Sequence, residues 1–177
     1  MLGVALDHLR RAVGDDGPVW LVGPPERRTV AAAPWLDDEP AGAGRGPLAG
    51  VLAAVRRGGG LILGAYMPLV PSSTLQVLPH LGRSRPAAPR LGGRPLALCA
   101  YWPAQALDAL EGVSAGWDEA RVRDAFVRSG GLAMPLDALG LAEEDAWMFS
   151  TVHTPYDLEV LRGELERRKG MWEWAGR

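Results

Sequence analysis

The chain has 177 residues, 47% hydrophobic and 23% charged, with a formal net charge of −2. That length predicts one domain over residues 1–177, large enough to bury a core without disulfide or metal staples. The balance of charge offers no global field for nucleic acid or an anionic membrane. The basic residues are eighteen Arg and one Lys (Lys169), and the sequence contains no Asn. No site in it can use an Asn amide, and a P-loop or a Schiff-base Lys is excluded. Cys99 is alone, which excludes a disulfide framework and a multi-Cys zinc site. A reduced, cytoplasmic setting is expected. No apolar run reaches the roughly eighteen residues that span a bilayer, so no membrane association is expected. Asp7 and His8 interrupt the opening apolar pattern, unlike a signal peptide.

Leu2, Leu6, Leu9 and Val13 share one helical face, and Gly14 follows as a stop signal. Residues 18–23 predict a short buried strand. Residues 31–36 predict a second strand, confined to a sheet edge by Pro34. A turn-rich loop follows to Gly46. Pro47 opens a helix to Arg57, with Leu48, Val51, Leu52 and Val55 on one face. Residues 61–66 form the most apolar run and predict a central strand. Ser72 or Ser73 is expected to cap a helix carrying Leu75 and Leu78. Residues 82–94 predict a long loop, in which Arg83, Arg85, Arg90 and Arg94 either hold a phosphate-bearing ligand or are solvated. A strand over 95–101 and helices over 103–111 and 117–129 follow. Strands near 131–136 and 146–152 bracket an acidic turn. Thr154, Pro155 and Asp157 mark the start of the last helix.

Alternating strands and helices predict a three-layer open α/β sheet, mostly parallel and Rossmann-like, with helices on both faces. Ligands of such sheets sit at the carboxyl ends of the strands. Four places attract attention. Gly46-Pro47-Leu48-Ala49-Gly50 joins a loop to a helix, which suits an anion or nucleotide as well as a plain tight turn. Asp38 is a candidate acceptor for a base or ribose, or a solvated loop acid. Tyr66 ends the central apolar run. His153 is a candidate base or metal ligand, with a structural role the stronger expectation. Trp172 and Trp174 either pack back on the domain or mark a partner surface.

In order, these segments resemble the molybdenum-cofactor guanylyltransferase, or MobA-like, family of nucleotidyltransferases. Leu36-Asp37-Asp38, a spacer and then Gly46 to Gly50 are similar to the family's guanine-nucleotide segment. Tyr66-Met-Pro-Leu-Val-Pro71 resembles its D-M-P-x-x-P. Thr151-Val-His-Thr-Pro-Tyr-Asp-Leu158 resembles its N-x-N-T-P-x-D-L. The resemblance implies a nucleotidyltransferase-type fold, and a reaction joining GTP to molybdopterin with Mg²⁺. It places nucleotide binding on Asp38, Gly46, Pro47, Leu48 and Gly50.

The departures fall on the chemistry. The family's first strand and its phosphate loop, G-G-x-S-x-R-M-G-x-D-K, have no counterpart in this sequence. Tyr66 stands where the family has its magnesium-binding Asp, and a neutral phenol is a poor Mg²⁺ ligand. Thr151 and His153 stand where it has two Asn. The expectation is therefore a degenerate protein with no catalytic or metal-binding residue, retaining at most weak binding of guanine nucleotide or molybdopterin. Self-association, or a role as partner in molybdenum-enzyme maturation, is the partner expectation. A working transferase with a truncated N-terminus and a non-enzymatic interaction protein are the alternatives. The absent first strand would leave two strands, those near 18–23 and 61–66, either paired directly or completed by another chain.

Overall fold

In the computed structural model, residues 2–14, 17–23, 33–38, 46–113 and 119–175 are described, with side chains to residue 168. Helix α1 (Leu2–Val13) is followed by strands β1 (Leu21–Gly23) and β2 (Trp35–Asp37). Helix α2 (Pro47–Arg56), strand β3 (Gly59–Leu63) and helix α3 (Ser72–Gly82) come next. Strands β4 (Ala87–Leu91), β5 (Arg94–Pro95) and β6 (Cys99–Pro103) precede helices α4 (Leu107–Glu111) and α5 (Glu119–Arg128). Strand β7 (Leu132–Met134) and the long helix α6 (Pro155–Ala175) complete the order.

The residues of β6 show how the layers form. Successive side chains of a strand point to opposite faces. Ala100 and Trp102 join a core with Leu48, Leu52 and Val55 of α2 and Val122 and Phe126 of α5. Cys99 joins a second core with Val70, Leu75 and Phe149. Helices α2, α4 and α5 therefore cover one face, and α1 and α3 the other. Trp102 anchors the first core. Its indole N–H donates to the Ala97 carbonyl at 3.0 Å, and its ring meets Phe126 edge-on at 5.8 Å. On β3, Ile62 packs toward the first core, and Leu61 and Leu63 toward the second.

The three α/β layers are as expected, while the strand directions are more mixed than expected. β6 runs antiparallel to β3 and β4, and β5 antiparallel to β4; the parallel pairs are β1–β2 and β4–β7. The reason is chain length. A parallel return needs a crossover of a dozen or more residues, and the short connection from β4 through β5 to β6 cannot supply one. The α4–α5 connection leads from β6 to β7, which lies parallel to β4 and so runs opposite to β6.

The sheet also falls into two parts. One holds β1 and β2, the other runs β3-β6-β4-β5 with β7 on β4. Among the described residues β1 pairs only with β2, and β3 only with β6, so the two strands do not pair directly. Helix α2 packs on β1, β2 and β3 and so holds the two parts together.

Several expected elements shift. β3 ends at Leu63, so Tyr66 lies in the turn after it rather than in the strand. Ser72 is already helical, and the N-cap of α3 is Pro71 with no side-chain cap bond. The expected loop over 82–94 contains the β4–β5 hairpin, turned by Gly92 and Gly93 with φ of 54° and 79°. Those left-handed values suit glycine, and a Gly-Gly pair is a hairpin signal. The strand expected near 146–152 is a 3₁₀ helix, Glu143–Phe149, whose first turn is acidic and whose Asp145 carboxylate accepts from the Ala142 N–H at 3.0 Å. The stretch around Pro24, Arg27 and Arg28, the loop over 39–45 and the start of the second predicted strand lie outside the described residues.

Candidate functional site

The candidate residues occupy two regions, the starts of α2 and α6 with the turns that approach them. Asp38 directly follows β2, and its N–H donates to the Gly23 carbonyl at 3.3 Å. Gly46 is the N-cap of α2, with φ of 54°, and Pro47 is its first residue. The Pro fits there because the first helical N–H has no intrahelical acceptor to lose. Leu48 is fully buried and belongs to the core, which leaves its backbone alone available to a ligand. Gly50 faces β1, where an added Cβ would lie 3.7 Å from Val22. Asp38 and Gly46 thus flank the same strand–helix layer, since α2 packs on both β1 and β2.

Tyr66 is the centre of the second region. It is half-buried and packs against both core clusters. Its hydroxyl donates to the Glu119 carboxylate at the start of α5. Its ring lies 4.5 Å from that of His153, tilted by 38°. Its carbonyl accepts the Val152 N–H at 2.8 Å. A Cβ on Gly64 would come within 3.1 Å of the ring, so glycine makes room for it. Burial, and then the hydrogen bond and charge of Glu119, push the Tyr66 phenol far above its ordinary value. The group stays a neutral donor at any physiological pH.

His153 and Thr151 are exposed, on either side of the buried Val152. The His153 and Thr154 N–H groups both donate to one Asp157 oxygen, at 2.9 and 2.8 Å. The Thr154 hydroxyl accepts the Asp157 N–H at 3.2 Å. This is a reciprocal cap, with Thr154 and Asp157 in the roles read from their order. The two backbone bonds, foremost that from His153, hold the Asp157 carboxyl below its ordinary value.

The position expected for a metal carboxylate does not fit a divalent cation. A phenol ring fills it, and its oxygen is engaged with Glu119 as a donor. Mg²⁺ asks for hard oxygen ligands in octahedral geometry and keeps several waters. Among the described residues no group of three His, Cys, Asp or Glu could hold a metal ion. Glu119 is the functional-site residue that the sequence motifs do not single out. Its partner lies 53 positions away, and no local pattern carries that pairing.

The layered sheet, with a glycine-led helix start beside the ends of its strands, defines an α/β fold of the nucleotidyltransferase type. No family model matches the chain, and no curated protein matches it. Among solved structures, it is similar to molybdopterin-guanine dinucleotide biosynthesis protein A from Archaeoglobus fulgidus. That likeness has a TM-score of 0.60 at 25% identity, over 76% of this chain and 69% of the other. The likeness is to a protein of the kind that the motif series resembles.

Proposed function

We propose that this protein acts in molybdopterin guanine dinucleotide biosynthesis as a degenerate relative of the guanylyltransferases, without Mg²⁺-dependent transfer of its own. The MobA-like fold supports the metabolic setting. The observation that carries the rest is Tyr66, whose ring and hydroxyl fill the position of a metal ligand between Gly64, Glu119 and His153. Phosphoryl-type transfer relies on neutralising charge and positioning the reactants. A neutral phenol supplies no such charge, and neither exposed Thr151 nor His153 supplies the two side-chain amides. What remains is the binding surface of Asp38, Gly46, Pro47, Leu48 and Gly50, suited to weak contact with a guanine nucleotide. The proposed setting is cytoplasmic; among the described residues no helix is long and apolar enough to cross a membrane.

Calorimetric titration with GTP tests this reading. Binding is expected to be weak and equal with and without Mg²⁺. Magnesium-dependent binding in the micromolar range would overturn it.

The division of the sheet favours a second reading, an interaction protein that associates through strand edges. β3 is the apolar run Gly-Gly-Leu-Ile-Leu, partly exposed along its whole length and carrying none of the charges or prolines that usually guard an edge. Light scattering over a wide concentration range decides whether the chain pairs with itself. A monomer throughout excludes self-association.

A further inference from the structure

On the opposite side of β4 from β6, the hairpin turn, the residues after β7 and the start of the 3₁₀ helix enclose a cleft of about 710 Å³. That volume lies within the range of small-molecule sites, roughly 300–1,000 Å³. Its floor is apolar. Leu91, Leu136 and Leu141 line it and belong to or pack against the second core cluster. Its charged lining is Arg90 on β4, Asp137 and Glu143. The side chains of Arg90 and Glu143 make no hydrogen bond or ion pair with any described residue, nor with one another. Asp137 spends one oxygen on the Ala138 N–H at 2.8 Å. The Gly92–Gly93 turn puts no side chain on the rim: a Cβ at either position would meet nothing within 4 Å.

Opposite charges that share a cleft without pairing leave both signs open to a ligand. A guanidinium takes a carboxylate through two parallel hydrogen bonds. Two carboxylates favour an ammonium, which donates three. Leucine side chains between them favour an apolar body.

We propose that this cleft binds a short apolar peptide with free termini, its carboxylate on Arg90, its ammonium on Glu143 and Asp137, and its side chains on Leu91, Leu136 and Leu141. The site is separate from the Tyr66 region and independent of the nucleotide reading.

Dileucine, its N-acetyl derivative and its C-terminal amide are the probes. Each is titrated into isotope-labelled protein and read at the backbone amides of Gly92, Gly93 and Ala142. Dileucine is expected to shift these amides saturably, and removal of either terminal charge to weaken binding about tenfold. Arg90→Gln is expected to close the gap between dileucine and its amide. Glu143→Gln is expected to narrow the gap between dileucine and its acetylated form. Both positions are exposed on the surface, so the fold tolerates the changes. No saturable shift, equal binding of the three probes, or discrimination between dileucine and its amide that survives Arg90→Gln would each overturn the proposal.

Discussion

Cys99 shows how far a single residue can be read from its environment. It is fully buried on β6, and burial pushes its thiol up to about 12. Only the thiolate is a strong nucleophile. Native protein is therefore expected to resist thiol-reactive dyes at pH 8, with full labelling only after denaturation; rapid native labelling would contradict this burial. The lone Cys was legible as one that forms no disulfide within the chain. Its depth was not, because burial is set by α3 and the 3₁₀ helix, distant in sequence. Tyr66 makes the same point with more consequence. Its position in the motif series was plain from the sequence. That it would also bond Glu119 depends on how α5 docks.

At the scale of elements, the start of α6 is the most local and the most legible. Thr154, Pro155 and Asp157 lie within four residues, and each makes the contact that its type and order imply. Thr154→Ala is expected to cost about 1 kcal/mol in urea denaturation, the usual loss for a side-chain cap. The depressed Asp157 carboxyl adds a pH dependence with a definite sign. Its support is present above the ordinary carboxylate range and is lost as pH falls through its lowered folded value. Elements that depend on long-range pairing were read less well. The β4–β5 hairpin looked like a loop because Pro86 and Pro89 suggested breakers. Yet Pro89 stands within β4 opposite Met134 of β7, and its carbonyl accepts from the Leu96 N–H at 2.9 Å. The acidic run at Glu143 looked like a turn before a strand, and its own side-chain bond instead winds it into a helix.

For the whole molecule, the division of the sheet is the main finding. Among the described residues, helix α2 bridges β1 and β3 where no backbone ladder does. Val22 and Trp20 remain 37% and 39% exposed at this seam, and Arg57 lies over the Trp20 ring at 4.9 Å. Hydrogen exchange provides a direct check. Within β3, amides directed away from β6 are expected to exchange about a hundredfold faster than those directed toward it, because only the latter are in a ladder. Uniform protection along β3 would mean that something pairs with its second edge.

The sequence by itself determined the alternation of helices and strands, the amphipathic faces of α1 and α2, the cap of α6 and the ordered motif series that resembles the MobA-like family. These depend on residues a few positions apart, where periodicity and capping chemistry act. The tertiary structure alone decided the strand directions, the gap between β1 and β3, the burial of Cys99 and the filling of the Tyr66 position by its bond to Glu119. Those depend on contacts between elements tens of residues apart, which chain connectivity and core packing select and no local pattern encodes.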